Sequence, residues 1–133
     1  MEITVRHLGN VKFEAAARSH RVWCDQPVEN GGTDSGMTPP EYLLVSLGTC
    51  AGYYAAQYLK ARSLPSDGLE IKVSADKELK PARLAKFRIE VTVPGLDEQH
   101  EAGVHRAVEA CLIHHTLLNA PAIETVVRSA VTA

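Results

Sequence analysis

The stretch from Thr38 to about Arg62 constrains this chain most, because its spacing of apolar residues suits one long helix and little else. Thr38-Pro39-Pro40-Glu41 forms a helix start. Threonine can cap, proline is tolerated in the first turn, and an early carboxylate suits the positive end of the helix. Behind it, Leu43, Leu44, Leu47, Cys50, Ala51 and Tyr54 recur at spacings of three and four. They predict one inward-facing stripe, and Cys50 lies on it.

A helix with such a stripe must be covered by other elements. From Glu2 to Asp25 apolar and polar residues alternate in short runs, with Gly9-Asn10 as a hairpin signal, which predicts three strands at about 2–8, 11–17 and 19–25. The run 26–38 collects Pro27, Asn30, Gly31, Gly32, Asp34, Ser35 and Gly36 and reads as one exposed loop. Beyond the Pro65-Ser66-Asp67-Gly68 turn, 69–80 and 84–93 read as two more strands, stopped by Pro94-Gly95. Helical spacing returns over 97–119 through Val104, Ala107, Val108, Cys111 and Leu112, and a last strand, Ile123 to Val127, follows Pro121. This order predicts an α+β fold. There is no internal repeat, low-complexity tract or interdomain linker, so residues 1–133 read as a single domain, and a chain 45% hydrophobic can give it a real core.

Several function classes are disfavoured. A formal charge of −2, with both signs mixed along the chain, offers no footprint for nucleic acid or anionic lipid. No apolar run approaches the roughly 20 residues that span a bilayer, and Met1-Glu2-Ile3-Thr4-Val5 lacks the features of a signal peptide, so a cytoplasmic protein with no membrane partner is expected. Its substrate should be small and weakly charged or uncharged. Gly31-Gly32 is a loop signal rather than a phosphate cradle, and no cofactor is expected. Three widely separated cysteines argue against a disulfide scaffold and make redox chemistry worth testing.

Cys50 sits mid-helix and Cys111 near the end of a second helical stretch, so spacing alone also suits both as small core residues. Their surroundings are more specific. The run TPPEYLLVSLGTC, residues 38–50, and the run EACLIHHTLLNAP, residues 109–121, resemble the two cysteine motifs of the OsmC/Ohr family, in this order and at this separation. The resemblance extends along nearly the whole chain. It implies an OsmC-like fold, with antiparallel sheets packed on two long central helices in an intertwined homodimer that carries its sites at the subunit interface.

The resemblance also implies roles. Cys50 matches the cysteine whose thiolate attacks a peroxide and becomes a sulfenic acid, and Cys111 matches the cysteine that resolves it to a disulfide. Glu41 matches a glutamate that orients an arginine, which in turn lowers the Cys50 pKa. Such a partner is needed, because a free thiol is mostly protonated at neutral pH and burial raises its pKa further. The family usually carries that arginine in a glycine-rich stretch near the second strand. Here the stretch reads AAARSHRVWCD, with Arg18 the first candidate and Arg21 the second. Leu112 stands where many relatives have a proline, which marks a divergent subgroup. The implied activity is a thiol-dependent peroxidase acting on organic hydroperoxides or hydrogen peroxide in oxidative stress defence, with a dithiol, plausibly lipoyl-type, as reductant. The alternative is a catalytically weak relative that binds a small ligand or senses redox state.

Glu41 carries an inference independent of the resemblance. In one continuous helix it lies about 13.5 Å along the axis from Cys50 and on nearly the opposite face, so a shared site needs a second subunit or a broken helix. As a first-turn carboxylate it also has a purely structural use. Cys111, His114 and His115 have a spacing that could begin a zinc site, with His105, Glu109 and Cys24 as further candidates. No fourth ligand is evident and no Cys-x-x-Cys pair occurs, so no metal is expected. Cys24 matches no family cysteine. Tyr53 and Tyr54 suit either a pocket wall or packing.

Overall fold

The computed structural model describes residues 1–130. Strands β1 (Thr4–His7), β2 (Phe13–Ala17) and β3 (His20–Cys24) form one antiparallel sheet in the order β1-β2-β3. Thr4 faces Ala16 across the first pair, and Phe13 faces Cys24 across the second. Gly9 and Asn10 both take positive φ at the first turn, the conformation that glycine and asparagine tolerate best. A second antiparallel pair follows helix α1 (Pro39–Ala61): β4 (Glu70–Glu78) and β5 (Arg83–Thr92). The mixed α+β composition and antiparallel pairing are those predicted.

α1 opens as the sequence predicts. The Thr38 hydroxyl accepts from the Glu41 N–H, and Glu41 Oε1 accepts from the Thr38 N–H and hydroxyl at 2.9 Å, a complete capping box. The buried row is Leu47, Ala51, Ala55 and Leu59, at a strict four-residue spacing. Leu43 is exposed and Tyr54 only half-buried, so the seam lies to one side of the predicted stripe. Small residues explain the offset, because they let α1 lie close on the second sheet. A Cβ on Gly48 would stand 3.0 Å from Val73 Cγ2. That close approach justifies a residue that weakens a helix interior by about 1 kcal/mol relative to alanine. Ile71, Ile89, Val91 and Val93 close the core from the sheet, and Val104 and Val108 close it from beside α1.

The second helical stretch departs from expectation. The spacing predicts one helix over 97–119, whereas the chain forms a short 3₁₀ turn at Glu98–His100, α2 (Glu101–Glu109) and α3 (Leu112–Leu118), broken at Ala110–Cys111. The fold therefore has one long helix and one interrupted one. Cys111 takes an extended backbone (ψ 133°) and its Sγ accepts the His114 N–H at 3.4 Å, so the thiol starts α3 as its cap. A helical pattern of apolar residues continues through such a break because α2 and α3 both lie along α1.

Two further expectations need correction. Residues 123–127 form no strand: among the described residues no edge pairs with them, and Val127 is 91% exposed. Residues 26–38 are not simply an exposed loop, since they fold around Asp25, a carboxylate only 1% exposed. Its Oδ1 accepts from the Gln26 N–H, and its Oδ2 accepts from the N–H and hydroxyl groups of both Thr33 and Ser35. These bonds, led by the Ser35 hydroxyl, outweigh burial and hold the carboxyl far below the usual carboxylate range. The loop then returns through a bridge between Cys24 and Met37 to the start of α1. Among the described residues, no helix is long and apolar enough to cross a membrane.

Candidate functional site

The break before α3 brings the two motif cysteines into one place. Cys50, in the middle of α1, is half-buried, and Cys111 is 0% exposed at the α2–α3 junction. All three cysteines of the chain are free thiols. The Cys111 thiol and the backbone N–H groups of Ile113 and Leu112 are near enough to the Cys50 sulfur to act on its charge. Those N–H groups belong to the first turn of α3 and have no partner within their own helix. An unbroken helix would have spent them on carbonyls of the preceding turn.

Electrostatics separate the two thiols. Burial, the largest effect on Cys50, pushes its pKa up, but the Cys111 thiol and the two backbone donors together bring it below the ordinary thiol value. Burial is also the largest effect on Cys111, and there the hydrogen bond with Cys50 and its negative charge add to it. The donors at His114 and Ile113 offset this only in part, so Cys111 is raised. Of the pair, Cys50 ionises first and Cys111 keeps its proton. That is the division of labour a nucleophile and a neighbouring hydrogen-bond donor require.

Among the described residues, no ion pair or hydrogen bond joins Glu41, Arg18 or Arg21 to this pair. Glu41 serves the capping box, and the N–H and hydroxyl of Thr38 lower its pKa. Arg18 stands exposed at the β2–β3 turn with φ +55°, and Arg21 pairs with Glu14 at 3.6 Å. Cys24 is half-buried beside Asp25; burial and then that charge raise its pKa. Tyr53 is exposed and stacks edge-on against Tyr54 rather than walling a cavity. His105 pairs with Glu109 at 3.4 Å, and the His114 backbone rather than its ring engages Cys111. Among the described residues, no three His, Cys, Asp or Glu side chains are grouped to hold a metal ion.

Sequence reasoning missed the backbone donors of Leu112 and Ile113. No side-chain signal could have found them, because they become available only through the break. It also missed a 510 Å³ cavity between α1, β5 and α3, lined by Leu43, Leu47, Phe87, Leu117 and Leu118 among others. Leu47 lies one turn before Cys50 and His114 one turn after Cys111, so this apolar cavity adjoins the cysteine pair.

The comparisons with known proteins agree with this architecture. Residues 32–126 match the family model described as OsmC-like protein. No curated protein matches the chain. Among solved structures, a Psychrobacter arcticus 273-4 protein named for osmotic-stress induction and a detoxification response superposes with TM-score 0.79 at 19% identity, over 86% of this chain and 85% of that one. An OsmC-like protein from Mycoplasma pneumoniae gives TM-score 0.74 at 19% identity, over 90% and 87% of the two chains. The organic hydroperoxide resistance protein OsmC from Legionella pneumophila gives 0.62 at 16% identity, over 87% of each. At such identities the solved structures establish the fold, while the matched span takes in Glu41, Cys50 and Cys111. The chain belongs to the OsmC-like protein family.

Proposed function

We propose that this protein is a thiol-dependent peroxidase in which Cys50 reduces the peroxide and Cys111 resolves the product. One observation carries the reading: Cys50 and Cys111 are near enough for each to act on the other, with the pKa of the first lowered and that of the second raised. The Cys50 thiolate attacks the distal oxygen of a hydroperoxide, the O–O bond breaks, and the alkoxide leaves as the alcohol after taking a proton from solvent. Cys50 is then a sulfenic acid. The Cys111 sulfur attacks it, its proton leaves with the departing hydroxide as water, and a Cys50–Cys111 disulfide remains. An external dithiol, of lipoyl type by analogy with the family, returns both thiols and is itself oxidised. The name of the Legionella protein supports organic hydroperoxides as the substrate class.

The acting unit in this reading is a homodimer. The three strands of the first sheet contain no fully buried residue, and Trp23 is 47% exposed, an apolar surface that a second layer would cover. A second copy also resolves the position of Glu41. It can bring the partner's Glu41, with Arg18 as the first candidate arginine, to a Cys50 that Glu41 does not reach along its own helix. A guanidinium held by a carboxylate would lower the Cys50 pKa beyond what the single chain achieves.

The pH dependence tests this reading. Because the Cys50 pKa is lowered, the first-step rate should rise with pH through a midpoint below that of an ordinary thiol and then level off. Stopped-flow measurement of one turnover with cumene hydroperoxide checks this. Cys111→Ala removes the thiol donor and should move the midpoint upward. A midpoint at or above the ordinary thiol value, unmoved by Cys111→Ala, would contradict the assignment.

A further inference from the structure

The disulfide of the proposed cycle poses a problem of access. An attacking thiolate expels more readily the sulfur whose thiol has the lower pKa. Of the pair, Cys50 is lowered and Cys111 raised, so the favoured reduction attacks the Cys111 sulfur and releases Cys50. Cys111, however, is 0% exposed, whereas Cys50 is only half-buried. The sulfur that chemistry selects is the one that α3 covers.

That cover is weakly held. α3 has seven residues and no buried side chain; Ile113 and His114 are half-buried and the other five residues are exposed. A helix this short is far below the roughly 12–15 residues at which isolated helices become even marginally stable. Behind it, residues 120–130 are exposed and form no regular element. Its start is where it is fastened. The His114 N–H donates to Cys111 Sγ at 3.4 Å, and the Leu112 and Ile113 N–H groups face the Cys50 sulfur. Both fastenings are sulfurs that change on oxidation. Disulfide formation removes the Cys50 thiolate, an anion at the positive end of the helix, and leaves two neutral sulfurs that accept hydrogen bonds weakly. We propose that α3 is a redox-operated gate over Cys111, seated while the cysteines are reduced and loosened at its first turn by the Cys50–Cys111 disulfide, so that the external dithiol attacks at Cys111. One thiolate of the dithiol bonds to the Cys111 sulfur, the Cys50–Cys111 bond breaks and Cys50 leaves as the thiolate. The second thiol of the reductant, as its thiolate, then displaces Cys111, which takes up a proton. The reductant departs as its own disulfide, two electrons poorer. The inference rests on the peroxidase reading for the source of the disulfide and the need to reduce it.

Diamide, which oxidises two thiols to a disulfide without any peroxide, separates the gate from that reading. Amide hydrogen exchange over 112–119 should run roughly three- to tenfold faster in the diamide-oxidised protein than in the reduced one, the effect of losing one helix cap or end charge. The melting temperature should rise at the same time, because the new cross-link closes a long loop. A general loosening would move both the other way. The oxidised protein is next treated with 2-mercaptoethanol, which has no second thiol to complete the reduction, and quenched with iodoacetamide. Peptide mapping should find the mercaptoethanol on Cys111 and the alkyl group on Cys50. Thr116→Gly and Thr116→Ala adjust the gate at an exposed position, and both lose the hydroxyl's bond to the Leu112 carbonyl. They differ in helix propensity, so dithiothreitol should reduce the oxidised glycine variant about fivefold faster than the alanine variant. Unchanged exchange over 112–119, an adduct on Cys50, equal rates for the two variants, or no Cys50–Cys111 bond after diamide would each overturn the proposal. If the gate opens and the adduct falls on Cys111 while cumene hydroperoxide is left unconsumed, the peroxidase reading fails and the gate stands.

Discussion

Cys50→Ser should lower peroxide consumption by roughly a thousandfold or more while leaving the folded state unchanged. A serine hydroxyl is nearly the same size as the thiol, and a helix interior tolerates it, as Ser46 and Thr49 in the same helix show. It cannot ionise at neutral pH, so the donors from Cys111, Ile113 and Leu112 have no anion to stabilise. Cys111→Ser should behave differently. It keeps the nucleophile, consumes about one equivalent of peroxide at near wild-type rate, and stops at the sulfenic acid for want of a resolving sulfur. Steady-state assays with dithiol, beside single-turnover assays without it, separate the two variants. Equal losses in the first turnover would show that the cysteines do not divide the work as their opposite pKa shifts require.

Leu59→Ala should have the largest effect on stability, about 2–5 kcal/mol, with the melting temperature falling by about 10 °C or more. Leu59 is 0% exposed and is the largest fully buried apolar side chain among the described residues. It ends the buried row of α1, in one cluster with Val104, Val108, Ile71 and Ile89, at the place where α2 and the second sheet meet the helix. Its row-mates Ala51 and Ala55 are already small, so few neighbours can move in to fill the space it leaves. Urea unfolding at fixed protein concentration should show the midpoint falling with an unchanged slope. A loss below about 1 kcal/mol would mean that the helix-to-sheet contact is not the principal core. Leu59 lies more than two turns from Cys50, so single-turnover chemistry per folded molecule should persist.

The parts of this fold that were legible in the sequence are those written as local chemistry. The Thr38–Glu41 capping box, the Gly9-Asn10 turn and the alternation of Phe87, Ile89, Val91 and Val93 each specify their element through neighbours a few residues apart. Long-range packing was much less legible. The break at Ala110–Cys111 carries no proline or glycine; it exists because the Cys111 sulfur takes the place of a capping oxygen. Asp25 looked like the end of a strand, and its partners are Thr33 and Ser35, reached only once the loop has closed on it. The segment 123–127 has the composition of a strand, but a strand forms only beside a partner edge.

The candidate site divides along the same line. The resemblance links Cys50 and Cys111 through two motifs about 60 residues apart, and the break before α3, which places Cys111 at the helix start, has no counterpart in the sequence pattern. Within one chain Glu41 serves the capping box and Arg18 stands exposed at a strand turn, so the roles that the resemblance implies for them belong to the proposed dimer.

The most direct test of the central claim is the product of one oxidation event. Reduced wild-type protein is treated with one equivalent of cumene hydroperoxide, and intact mass and non-reducing peptide maps are recorded. The account predicts loss of the two thiol hydrogens and one cross-link joining Cys50 to Cys111, with Cys24 still a free thiol. Unchanged thiols with the peroxide left unconsumed, or a disulfide formed through Cys24 instead, would contradict it.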